Sequence, residues 1–194
     1  MDFKAFLESV NITDVLVVVF LFAMFILGWA QGAVRRLIGI GTMTFSFFLA
    51  AQLHLYLGNF LADHWYQYPP SYSYMIAFMT LFVAASIAFA LVVQGTYERV
   101  TVFARHPVID ELLGGVLGVT QGLLLIMFTV IALDTFYLVI PAAEAGELPL
   151  LRDLWLLMDA SLLGHLLHEN AIPTFMSATA LFVPETVRII HGVP

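Results

Sequence analysis

The chain has 194 residues, of which 61% are hydrophobic and 11% are charged, against roughly 45–50% and 25% in soluble domains. Its formal net charge of −7 provides no basic stripe to neutralise phosphates, so nucleic acid is not an expected partner. The absence of cysteine excludes disulfides, thiolate metal sites and cysteine nucleophiles. This composition favours a single membrane domain, with the lipid bilayer as its main surroundings.

Four long stretches contain no Asp, Glu, Lys or Arg, and they follow one another at 15–34, 37–62, 71–97 and 112–133. A helix needs about 20 apolar residues to cross a hydrocarbon layer of roughly 30 Å, and every stretch reaches that length. We therefore predict a four-span bundle over residues 1–141, with transmembrane helices at about 14–34, 37–62, 71–94 and 112–133.

The polar connections indicate how these spans follow one another. Arg35 and Arg36 leave almost no loop between the first two spans, which predicts an antiparallel hairpin. Pro69 and Pro70 prevent the second helix from continuing into the third. The same connection is rich in aromatic rings, which collect at membrane–water interfaces; they are Trp65, Tyr66, Tyr68, Tyr72 and Tyr74.

The last part of the chain, residues 142–194, is predicted to contain no fifth span. Charged residues interrupt the leucine-rich segment from Leu148 to Asn170, and Ala171 to Val183 is only 13 residues long. We predict an extracytoplasmic, interfacial helical tail that packs on the bundle. The expected fold is an all-α integral membrane protein with four transmembrane helices and an interfacial carboxyl-terminal helix.

Glycines recur at intervals of four residues in the first and fourth spans. Gly28 and Gly32 end the first span, and Gly114, Gly118 and Gly122 begin the fourth. Residues four apart share one face of a helix, and missing side chains allow another backbone to approach closely. We predict helix packing through these faces within the bundle, with self-association through the same faces as the alternative.

Polar residues inside predicted spans are candidates for function. Gln52, His54, Gln121 and Asp134 are the residues that could line a polar pathway for an ion or solute. His54 is the one titratable side chain well inside a predicted span. Its simpler interpretation is a helix–helix hydrogen bond or a position close enough to the outer surface to meet water. Asp134 lies near the end of the fourth span, where we expect it to reach interfacial water.

The sequence carries no motif for catalysis, a metal or a cofactor. His165, His168 and Glu169 share a helical segment, but their order differs from His-Glu-x-x-His and no third ligand is identifiable. A polar face of an interfacial helix is the better interpretation. Nucleophile and phosphate-binding motifs are also missing, so we predict a non-enzymatic protein without cofactor or bound metal.

Three segments resemble the colicin V production protein (CvpA) family. The first is Asp14 followed by Gly-Trp-Ala-Gln-Gly-Ala-Val-Arg-Arg at 28–36. The second is Asp-Glu-Leu-Leu-Gly-Gly-Val-Leu-Gly-Val-Thr-Gln-Gly at 110–122, and a weaker third is Ser161 with the later Pro173. Gln31 and Gln121 stand where the family often has arginine.

The resemblance implies a small, multi-pass protein of the bacterial inner membrane. It also implies a part in colicin V production or export, or in maintenance of the cell envelope. We expect a scaffold or a subunit of a larger assembly, with other membrane proteins as partners. The alternative is an oligomeric channel or transporter for a small solute or ion, with Gln52 and His54 lining its path.

The arginines near the span ends predict the orientation. Four lie in the connections between spans one and two and between spans three and four, and they form the predicted cytoplasmic interface: Arg35, Arg36, Arg99 and Arg105. The opposite side has Lys4 and Arg152 close to the spans. Because lysine and arginine are in excess on the cytoplasmic side, both termini are expected to be extracytoplasmic.

This orientation can be tested with reporter fusions. A reporter that is active only in the cytoplasm should be active when fused after Arg105 and inactive when fused after Pro194. The opposite pattern would overturn the predicted orientation.

Overall fold

The structure is a computed structural model that describes residues 12–96, 107–138 and 149–193. These ranges consist of helices and their connections and contain no β-strand. Two of the predicted cytoplasmic arginines, Arg99 and Arg105, lie outside the described residues, as does the predicted boundary between bundle and tail at 141.

Four long helices form the bundle: α1 (Ile12–Gln31), α2 (Ala33–His64), α3 (Pro70–Thr96) and α4 (Pro107–Tyr137). Each of them contains a segment long and apolar enough to cross a membrane. The predicted all-α membrane fold with four spans is therefore confirmed.

The second helix is longer than the predicted span at 37–62. Its 32 residues make α2 about 48 Å long at 1.5 Å per residue, against a hydrocarbon layer of roughly 30 Å. Both Arg35 and Arg36 belong to its first turn, and it continues to His64. Charged residues end an apolar run, but their backbone still makes helical hydrogen bonds, so the helix extends beyond the run.

A single residue, Gly32, separates α1 from α2. Its φ of +78° lies in the left-handed region that glycine adopts without steric cost. Although the two helices are joined so closely, α1 packs mainly against α4, while α2 packs mainly against α3. The hairpin expected from the short connection is thus not the main packing pair.

The glycine faces explain why α1 lies on α4. A Cβ atom added to Gly28 would overlap the carbonyl oxygen of Gly114, and one added to Gly114 would lie 2.5 Å from the carbonyl oxygen of Gly28. A Cβ atom on Gly118 would overlap the carbonyl oxygen of Met24, and one on Gly122 would lie 3.0 Å from the Leu21 side chain. The two backbones therefore touch where side chains are missing, as small residues in membrane helices permit.

The tail is built from short helices rather than one. They are α5 (Pro149–Asp159), α6 (Leu162–Leu166), a π-helical turn (Leu167–Ala171), α7 (Ile172–Ala178) and α8 (Glu185–Ile190). Ser161 caps α6, because its hydroxyl accepts a hydrogen bond of 2.9 Å from the Gly164 amide. Pro184 precedes α8, where its fixed φ suits the start of a new helix.

An aromatic core joins the tail to the bundle. Phe47 of α2 is fully buried and stacks on Phe128 of α4 with ring centroids 4.2 Å apart. Phe78 of α3 and Phe175 of α7 contact the ring of Phe47 edge-on, with centroid distances of 5.5 and 5.7 Å. Through Phe175, α7 is therefore part of the hydrophobic core. Each such aromatic pair adds about 0.5–1.5 kcal/mol of stability beyond the burial of its rings.

The contact between α1 and α4 predicts the effect of enlarging a glycine. Gly118→Leu should lower the free energy of unfolding by about 1–3 kcal/mol, because the added side chain has to displace the α1 backbone. Gly41→Leu is the matched control, since no atom lies within 4 Å of a Cβ added there, and it should change stability by no more than about 0.5 kcal/mol. Thermal unfolding in mild detergent measures both, and equal melting of the two variants would contradict the packing.

Candidate functional site

A buried carboxylate at the end of α4 holds the tail in place. Asp134 has no exposed surface, and Trp155 Nε1 donates a hydrogen bond of 2.9 Å to its Oδ1. Its Oδ2 lies 3.0 Å from His168 Nε2 and 3.7 Å from His191 Nδ1. We call these four residues the Asp134 cluster. They connect α4 to α5, to the π-helical turn and to the residue that follows α8.

The burial of Asp134 differs from the expectation that it reaches interfacial water. The tail folds back over the end of α4, and residues far along the sequence replace water around the carboxylate. His168 is only 23% exposed, whereas His165 and Glu169 are exposed, as expected of the polar face of a helix. His191 and Trp155 were not recognised from the sequence as partners of Asp134, because no spacing rule connects them to it.

The two histidines of the Asp134 cluster have opposite pKa changes. The hydrogen bond to Asp134 raises the pKa of His168 above its usual value, although partial burial opposes this change. Burial lowers the pKa of His191, and this effect exceeds the attraction of the same carboxylate. Of the two histidines, His168 is therefore the one whose protonated form is favoured by its surroundings, whereas burial favours the neutral form of His191.

Two further hydrogen bonds attach the tail to the bundle. The Gln52 side chain of α2 donates to the Phe182 carbonyl oxygen at 2.9 Å, and the Leu162 amide donates to Asp14 Oδ1 of α1 at 2.9 Å. Together with the Asp134 cluster they reach α1, α2 and α4. We call this end of the bundle the tail end.

The structure does not bring together all four residues that were predicted to line a pathway. Gln52 bonds to the tail, and His54 Nδ1 lies 2.7 Å from the Ala51 carbonyl oxygen of its own helix. Gln121 Oε1 accepts a hydrogen bond of 2.8 Å from Arg36 Nη1. Gln121 and Asp134 are roughly 20 Å apart along α4 at 1.5 Å per residue. Each of these polar groups bonds to a different partner: Gln52 and Asp134 both contact the tail, whereas Gln121 contacts Arg36 in the first turn of α2.

The opposite end of the bundle, here called the arginine end, has a buried cation. Arg36 is 6% exposed, whereas its neighbour Arg35 is exposed. Both line a cavity of about 390 Å³ between α2, α3 and α4. The sequence places Arg36 at an interface with water, but the first turn of α2 directs it between the helices.

Among the residues that the structure describes, neither end offers a recognisable metal site. Within the described ranges, no group of three or more His, Asp or Glu side chains is arranged to hold a metal ion. The Asp134 cluster combines one carboxylate with two histidines, but only His168 is close enough to share a strong hydrogen bond with it. Its geometry suits a structural contact that holds the tail on the bundle.

The raised pKa of His168 predicts a pH-dependent attachment of the tail. Because the raised value belongs to the folded state, protonated His168 stabilises the fold fully below pH 6.5, and this contribution is lost as pH rises through the folded-state pKa. His191 acts oppositely: with its lowered pKa, its contribution is present above pH 6.5 and lost at more acid pH. Melting temperature in detergent should therefore fall as pH rises from 6.5 to 9.

Asp134→Asn is the matched variant for this measurement. It keeps the shape and an oxygen for Trp155 but removes the charge, so at pH 6.5 it should be less stable by about 1–3 kcal/mol. The difference between the two proteins should shrink as pH rises. A constant difference between pH 6.5 and 9 would show that the pair is not charged.

Comparison with known proteins identifies the family. A family model described as "Colicin V production protein" matches residues 13–152, which is well over half of the chain. The matched range begins in α1, covers the four long helices and ends in α5. No curated protein and no solved structure matches the chain. The chain belongs to the colicin V production protein family, and its four long apolar helices make it a multi-pass membrane protein.

Proposed function

We propose that this chain is a non-enzymatic subunit or scaffold of a larger membrane assembly. Membership of the colicin V production family supports a role in secretion or in the integrity of the cell envelope. The bacterial inner membrane is the location that fits this family, with both termini outside the cytoplasm.

The observation that carries the proposal is a firmly attached tail that displays apolar side chains. Leu181 is 93% exposed and Phe182 is 57% exposed, in the turn between α7 and α8. Leu150 of α5 and Ile189 of α8 are 78% and 60% exposed. These residues lie outside the four spans, while the backbone of the Phe182 turn is hydrogen-bonded to Gln52. Exposed apolar groups on a fixed support are typical of an interaction surface.

The glycine faces of α1 and α4 favour the tail as the contact surface. Those faces touch each other within one chain, so Gly28 and Gly114 have no room for a helix from a second molecule. This supports the exposed face of the tail, on the proposed extracytoplasmic side, as the surface that contacts other membrane proteins.

A photo-crosslinking residue in place of Leu181 tests the proposal in intact membranes. It should give protein adducts of discrete size, because the side chain faces a partner. Phe22 is the matched control: it is also exposed, at 61%, but it lies within the apolar span of α1 and should face lipid. No protein adduct at 181, or the same adducts at both positions, would contradict a docking role for the tail.

The alternative function is an oligomeric channel or transporter for a small solute or ion. A measurement of ion or solute flux distinguishes it from the scaffold. Purified protein in proteoliposomes should show none, since Gln52, His54, Gln121 and Asp134 bond to separate partners. A flux that His54→Ala abolishes would contradict the scaffold and favour transport.

A further inference from the structure

The cavity at the arginine end combines a positively charged part with an apolar part. Arg35, Arg36, Gln121 and Ser86 line the first part, and Phe82, Val83, Ile87 and Leu125 line the second. Its volume of about 390 Å³ falls within the range of roughly 300–1,000 Å³ that is usual for ligand pockets. The space is thus large enough for a small molecule or for part of a lipid.

The positive charge of Arg36 is buried without a counter-ion from the lining. Arg36 Nη1 donates to the neutral amide of Gln121, while its Nε is buried and has no hydrogen-bond partner. The hydroxyl of Ser86 in the same cavity is also buried and without a partner. Burying a charge is costly unless it is paired and hydrogen-bonded, so an anion bound beside these groups would stabilise them.

The described residues that line the cavity include no Asp or Glu. Asp110 is not among the lining residues: its carboxylate faces Gly32, where its Oδ2 would lie 2.5 Å from an added Cβ atom, and its buried Oδ1 has no hydrogen-bond partner. An external anion would supply the counter-ion that the described lining does not provide for Arg36.

Phosphate is an anion that matches this geometry. The planar guanidinium presents several N–H groups that bond two phosphate oxygens at once, and Arg35 adds a second positive charge. Neutral donors such as the Ser86 hydroxyl complete the coordination of a phosphate oxygen.

The apolar part of the cavity points to a lipid as the carrier of that phosphate. Val83 and Ile87 are 51% and 56% exposed, so this wall is continuous with the apolar outer surface of α3. From Arg35 to Met43 the lining extends about 12 Å along α2 at 1.5 Å per residue. A headgroup at the arginines would leave the start of an acyl chain against this wall.

We propose that the cavity between α2, α3 and α4 binds the phosphate headgroup of an anionic phospholipid. Arg36 and Arg35 hold the phosphate, and the acyl chain follows Phe82, Val83 and Leu125. This site is separate from the exposed face of the tail, so it does not depend on the scaffold function.

The test is thermal unfolding of the full chain in a neutral detergent. Phosphatidylglycerol should raise the melting temperature in a saturable manner, because a ligand that binds only the folded state stabilises it. Phosphatidylcholine, which has no net charge, should give at most a small change. Glycerol 3-phosphate, which has the phosphate without acyl chains, separates a lipid site from a site for a soluble phosphate ester. An equal response to glycerol 3-phosphate would overturn the lipid part of the proposal.

Three variants locate the effect. Arg36→Gln should be as stable as the parent or more stable without lipid, since an unpaired buried charge is removed, and its apparent affinity for phosphatidylglycerol should fall about tenfold or more. Arg35→Gln, at an exposed position, should weaken binding without endangering the fold. Arg152→Gln in α5 controls for general attraction of anionic lipid and should respond like the parent. An unchanged lipid response of Arg35→Gln and Arg36→Gln, or a loss in Arg152→Gln as large as theirs, would overturn the site.

Discussion

The close contact between the backbones of α1 and α4 is the constraint on which the rest of the fold depends. Gly28 and Gly114 bring the two helices together with no side chain between them. Because α1 is held there, α2 is left to pack against α3, and the cavity at the arginine end lies among α2, α3 and α4. The same placement carries Asp14 at the other end of α1 to the tail, where it accepts a hydrogen bond from Leu162.

The tail is held by two kinds of interaction that require each other. Phe175 enters the aromatic core around Phe47 and supplies apolar burial, but stacking contacts alone fix position only loosely. The hydrogen bonds at Asp134 are directional and fix the orientation of the tail. These hydrogen bonds in turn need the apolar cover, because the interaction between a carboxylate and a histidine is stronger where water is excluded. Loss of either interaction should therefore weaken both.

The sequence was sufficient for the features that depend on local pattern. Runs without charge predicted the four spans, and the four-residue spacing of glycine pointed to Gly28 and Gly114 as packing positions. The remainder depends on contacts between distant residues. Asp134 was expected to meet interfacial water because it lies near the end of the fourth span, yet His168 and His191, from later in the chain, lie against it instead. Arg36 was likewise assigned to an interface by its charge, whereas the direction of its side chain is set by the phase of α2.

The junction at Gly32 has a consequence for how the bundle tolerates changes in length. A loop of several residues absorbs an insertion by changing its own shape, but the break between α1 and α2 is one residue long. If an added residue there extended either helix, α1 would be rotated relative to α2 by about 100°, since a helix turns once in 3.6 residues. The Gly28 face would then point away from Gly114 and present bulkier side chains to α4. The one-residue junction at Gly32 therefore sets the rotation of α1 relative to α2. Substitutions elsewhere in α1 should be easier to accommodate than any insertion or deletion at this position.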